Sequence, residues 1–221
     1  MSRATRALFR AAIVAVAPTV LFLGFAYHPY LSDPTDAAVI GAAAASDTTR
    51  WGISHILIGV GYGLIVLAFT AIRSYLREAG EERWSVLALP FVVMGSTLFA
   101  ILPGMEFTPL AAAETGADFE AAQEELAPWF VPVIVIGGVC FALGALGFAK
   151  GIMHSGVLYS KLAWLVAGAL VVMAAARFVP LGPAQYVIGA AGVVALWPLA
   201  YEMWRRPETS PAEQPRSVPT T

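Results

Sequence analysis

WGISHILIGVGYGLIVLAFTAI, Trp51 to Ile72, contains no Asp, Glu, Lys or Arg, and its one imidazole is His55. A helix of this composition is apolar on every side, so it has no polar face to turn to water. Its length matches the ~20 residues needed to cross a bilayer core. Trp51 marks one interface, and Arg73 and Arg77 follow directly at the other, the flanks expected of a membrane span. Working outward, five more stretches read the same way: Ala11 to Tyr27, Val86 to Met105, Trp129 to Ala149, Leu162 to Leu181 and Ala184 to Trp204. With 58% hydrophobic and 13% charged residues over 221 positions, lipid is the expected solvent. The fold class is an all-α, polytopic bundle of six transmembrane helices, one domain over residues 1–206.

The cations fix the orientation of this bundle. With the N-terminus inside, the inner segments carry Arg3, Arg6, Arg10, Arg73, Arg77, Arg83, Lys150, Lys161, Arg205, Arg206 and Arg216, and the outer ones only Arg50 and Arg177. That asymmetry predicts cytoplasmic N- and C-termini. Asp33, Asp36, Asp47, Glu106, Glu114, Asp118, Glu120, Glu124 and Glu125 all fall outside, which makes the outer face locally anionic. The chain has no Asn and only two Lys, a usage associated with a GC-rich prokaryotic genome, so the expected location is a prokaryotic plasma membrane. Expected partners are the lipid bilayer and either a second copy or another membrane protein; nucleic-acid binding has no support in the sequence, and none is expected. The single cysteine, Cys140, leaves the outer loops without a disulfide. Arg3, Arg6 and Arg10 ahead of the first apolar run also suit a signal peptide, but the run is long and lacks a clear small-x-small cleavage site, so a retained span is the preferred reading.

Two short outer-loop helices are expected. In the first loop Asp33 is placed as the cap, Pro34 in the first turn and Asp36 at the positive end of the dipole, ahead of an Ala-rich run to Ser46. In the second, Thr115 and Asp118 resemble a capping box, and Phe119, Ala122 and Leu126 recur on one face of a short amphipathic helix. The Pro, Ser, Thr and Glu tail over 207–221 is too polar to order itself.

Gly59-Val60-Gly61-Tyr62-Gly63 resembles, with Gly in the first position, the Thr-Val-Gly-Tyr-Gly filter of potassium channels. A filter requires a complete inner span after it. Only Leu64 to Ile72 remain before Arg73, too few at 1.5 Å per residue to cross ~30 Å. Gly59 and Gly63 are read instead as a small-xxx-small pair for helix packing.

No Walker loop, HExxH, Ser-His-Asp set or paired catalytic carboxylate occurs, and the middle of every span lacks Asp, Glu, Lys and Arg. Topology nevertheless brings four polar groups to the outer level: His28 after the first span, His55 one turn inside the second, Glu106 after the third and Arg177 near the end of the fifth. Intramembrane ionisable residues mark functional sites by default. The expected ligand site is therefore an outward-facing pocket of His28, His55, Glu106 and Arg177. His28, His55 and Glu106 are also the ligand types of a zinc site, although they lack any recognised spacing, and a bis-histidine haem is less favoured still. No cofactor is assigned and no catalytic residue is named. The expected role is a non-catalytic binding or accessory protein, with a small transporter or permeation module second and an outward-facing metal-dependent enzyme third.

Overall fold

The computed structural model describes residues 3–205, so the tail expected over 207–221 lies outside the described residues. In chain order the helices are α1 (Arg3–Tyr27), α2 (Ala37–Ser46), α3 (Thr48–Glu78), α4 (Trp84–Met105), α5 (Phe107–Glu114), α6 (Phe119–Ser155), α7 (Ser160–Ala175) and α8 (Ala184–Arg205), with a 3-10 turn at Ala176–Phe178. Among the described residues six helices are long and apolar enough to cross a membrane, and there is no strand. The chain is an all-α, multi-pass bundle suited to a lipid bilayer.

The six spans form a closed ring. Each packs on its neighbours in the chain, α1 on α3, α3 on α4, α4 on α6, α6 on α7 and α7 on α8, and α8 returns to α1. Short connections at 79–83 and 156–159 enforce this order, because adjacent helices joined by so few residues must lie antiparallel. Gly80 and Gly156 hold those turns with φ of 85° and 67°, a region costly for residues with a Cβ. At the Arg83 end, Glu81 accepts the backbone N–H groups of Arg83, Trp84 and Ser85 at 3.0, 2.6 and 3.1 Å, and so stabilises the start of α4.

The half of the ring nearer that end is filled. Phe69 stands edge-on to Phe141 and Phe148, with centroids 6.2 and 4.8 Å apart, and Ile65, Ile72, Leu76, Met173 and Leu196 are fully buried around them.

Close backbone approach comes from different glycines than the small-xxx-small pair predicts. A Cβ at Gly61 would lie 2.8 Å from Leu21 Cα on α1, and one at Gly95 would lie 2.5 Å from Phe141 N on α6. At Gly59 a Cβ would make ordinary contact with Ala100 and Pro103, and at Gly63 it would meet nothing within 4 Å. The correction is one of rotation. The buried face of α3 runs through Trp51, His55, Ile58, Tyr62 and Ile65, so Gly63 looks away from the bundle.

The two short loop helices also differ in detail from the expectation. Asp36 rather than Asp33 caps α2, accepting from Ala38 N at 2.8 Å and Val39 N at 3.3 Å, because Asp33 is already engaged by the backbone and hydroxyl of Thr35. The second short helix is α5, not the Phe119 segment. Asp118 caps that segment through Ala121 N at 3.0 Å, and the helix then continues through Pro128 and Pro132 into the fourth span. Thr115 belongs to the end of α5, donating its hydroxyl to Ala111 O at 2.8 Å. The fifth span ends earlier than Leu181: α7 gives way to the 3-10 turn at Ala176, and Val179 is extended ahead of Pro180, as a residue before proline must be.

Candidate functional site

At the end of the ring bearing α2 and α5, three rings meet. His28 leaves α1 with its backbone N–H still bonded to Gly24 O at 3.0 Å, and Pro29 stops the helix there. Arg50 secures this terminus: its Nε donates to Tyr27 O at 2.6 Å and its Nη2 to His28 O at 3.4 Å, a cation on the carbonyl end of a helix. On α3, Trp51 and His55 are one turn apart and stack at 4.6 Å, and the His28 ring lies 4.9 Å from both. The two imidazoles are buried, at 5% and 6% exposure.

Both imidazoles are anchored the same way. His28 Nδ1 is 2.7 Å from Pro29 O, and His55 Nδ1 is 2.7 Å from Trp51 O. A carbonyl oxygen only accepts, so in each ring Nδ1 carries the proton and, in the neutral form, Nε2 carries the lone pair. For His28, burial holds the imidazole below its ordinary value; the bond to Pro29 O opposes this and the Arg50 charge adds to it.

Glu106 follows α4 and is 8% exposed. Gln123 of α6 offers Nε2 to Glu106 Oε1 at a long 3.5 Å, while Glu106 Oε2 and Gln123 Oε1 are buried without a protein partner.

Arg177 sits in the 3-10 turn and turns inward instead of reaching for water. Its Nη1 donates to Tyr62 OH at 2.6 Å, and its guanidinium lies over the rings of Phe141, Phe99 and Tyr62 at 4.0, 4.4 and 5.2 Å. Such cation–π contacts offset part of the cost of burying the charge. Its Nε and Nη2 remain buried without a partner, and no ion pair among the described residues includes it.

All four expected residues line one cavity of about 230 Å³. Its remaining wall is mostly apolar, with Phe25, Ile58, Phe99, Leu102, Phe130 and Ile188, and Tyr62 and Gln185 add polar groups. The expectation of a common depth requires correction for Arg177. Tyr62 and Phe99 lie seven residues further along α3 and α4 than His55 and before Glu106, which is about 10 Å of helix rise. The guanidinium is therefore deep, and His28, His55 and Glu106 are shallow. Within the described residues no group of three His, Cys, Asp or Glu side chains is arranged to hold a metal ion, so His28, His55 and Glu106 share a cavity without forming a three-ligand set.

Sequence reasoning missed Trp51, Tyr62, Phe99, Phe141 and Gln123 as parts of this site. A signal existed for Tyr62, which falls two turns after His55 on the same buried face. For Phe99, Phe141 and Gln123 there was none, since aromatic and amide residues on spans are ordinary packing residues.

No protein-family model, curated protein or solved structure matches the chain.

Proposed function

We propose that the protein is a non-catalytic binding protein of a prokaryotic plasma membrane, with both termini in the cytoplasm and the cavity of His28, His55, Glu106 and Arg177 open to the exterior. The observation that carries this reading is buried, unpaired polarity beside the cavity. Arg177 Nε and Nη2 and Glu106 Oε2 are buried beside one cavity with no protein partner. Each such group costs about 1–3 kcal/mol, and more when charged, so a ligand that supplies the missing bonds accounts for their retention.

One further feature favours binding over conduction. Beyond Arg177 the bundle is closed by Phe69, Phe141, Phe148, Ile72 and Leu76, so the cavity is a dead end in this conformation. The cation asymmetry supports the orientation.

Native mass spectrometry of the protein extracted in mild detergent tests the reading. The expected result is a small-molecule adduct on the wild-type chain that Ile188→Trp, which fills the cavity, does not retain. An adduct absent from wild type, or equal in both chains, would overturn the assignment of a ligand to this cavity.

A further inference from the structure

Taking the cavity as a ligand site, as proposed above, the geometry points to the chemistry of its occupant: a small molecule with an oxyanion at the deep end, an N–H-bearing cation at the shallow end and an apolar middle. The deep end presents only donors from Arg177. With Nη1 held by Tyr62, the free Nε and Nη2 are the side-on edge of the guanidinium, two parallel N–H groups that match the two oxygens of a carboxylate or phosphate. Among the described residues no carboxylate occupies that edge.

The shallow end presents acceptors. Of the residues lining it, Glu106 has Oε2 unpartnered, and the backbone-anchored imidazoles of His28 and His55 leave Nε2 as their remaining nitrogen. A carboxylate oxygen with imidazole nitrogens in the same wall fits an ammonium, whose N–H groups have no lone pair to conflict with them. Positive and negative protein groups thus sit at opposite ends of one cavity, about 10 Å of helix rise apart, and do not pair with each other. A zwitterion lying between them completes both, and the net charge of the occupied cavity does not change.

Size and wall agree. At about 30 Å³ per water-sized volume, 230 Å³ holds roughly eight non-hydrogen atoms. Phe25, Ile58, Leu102 and Ile188 between the two ends suit methylene groups, not further polar ones. A free ω-amino acid has this chemistry.

Calorimetric titration of the full-length protein in neutral micelles with 6-aminohexanoate, hexanoate and hexylamine tests the inference. The zwitterion is expected to bind at least about tenfold more tightly than either singly charged probe, the step that one charge-assisted hydrogen bond supplies. Arg177→Gln should abolish its advantage over hexylamine, and Glu106→Gln its advantage over hexanoate. This crossed pattern does not arise from a general loss of stability. Equal affinities, no binding of any probe, or equal losses for all probes in both variants would overturn the inference; if the variants do not fold, the wild-type series decides. Failure of the probes with retention of an adduct that Ile188→Trp loses would sink this inference alone, and loss of the adduct result would sink both.

Discussion

Replacing Gly95 by Ala isolates the contact on which the site's deep wall depends. The new Cβ would lie 2.5 Å from Phe141 N and 2.8 Å from both Gly137 O and Phe141 Cα, all backbone atoms of α6 that no rotamer change can move aside. Ordinary contact begins at 3.4 Å, so α4 and α6 must separate by roughly 1 Å. Overpacking of this kind costs about 1–3 kcal/mol. Helix propensity offers Ala little in return, because spans denatured in detergent stay largely helical and the reference state shares the gain. Gly63→Ala is the matched control, since its Cβ meets nothing within 4 Å and its expected change is near zero. Unfolding in mixed micelles titrated with dodecyl sulfate, followed by tryptophan fluorescence, measures both. Separation of the helices also shifts Phe99 and Phe141, so Gly95→Ala should weaken whatever Arg177 holds between them. A Gly95→Ala chain within about 0.5 kcal/mol of wild type, or a Gly63→Ala chain as destabilised as Gly95→Ala, would refute the packing argument.

Acidification should destabilise the fold through His28. Because its value in the folded chain lies below the ordinary 6.5, the unfolded chain binds more protons between those two values, and stability is complete above about pH 6.5 and declines as pH falls through the folded value. His28→Gln should lessen that decline, measured by the same micellar unfolding at stepped pH; an acid limb of identical steepness in the variant contradicts it. For orientation, single cysteines introduced as Thr115→Cys and Glu82→Cys in a Cys140→Ser background should react differently with an impermeant maleimide on intact cells. Labelling is expected at position 115 and not at position 82, and the reverse pattern overturns the cytoplasmic placement of the termini.

The spans were legible because lipid imposes one simple condition: a segment such as 51–72 must satisfy its backbone internally and present apolar side chains all round. The loop helices were less so. Asp33 and Asp36 both carry cap-forming side chains, and only the turn made by Thr35 decides between them. Likewise nothing local separates the Phe119 segment from the fourth span, since a proline in a long membrane helix ends it in one context and is absorbed in another.

By itself the sequence determined the number of spans, the side on which cations gather and the arrival of His28, His55 and Glu106 at one end, because these follow from the cost of placing charge in hydrocarbon and from counting crossings. Tertiary structure alone decided the rotation of each helix. That rotation puts Gly61 and Gly95, not Gly63, against a neighbouring backbone, and swings Arg177 inward onto Tyr62, Phe99 and Phe141. An all-apolar helix carries almost no information about which face turns inward, since lipid and protein interior are equally hydrophobic. The choice is left to close packing between partners far apart in the chain.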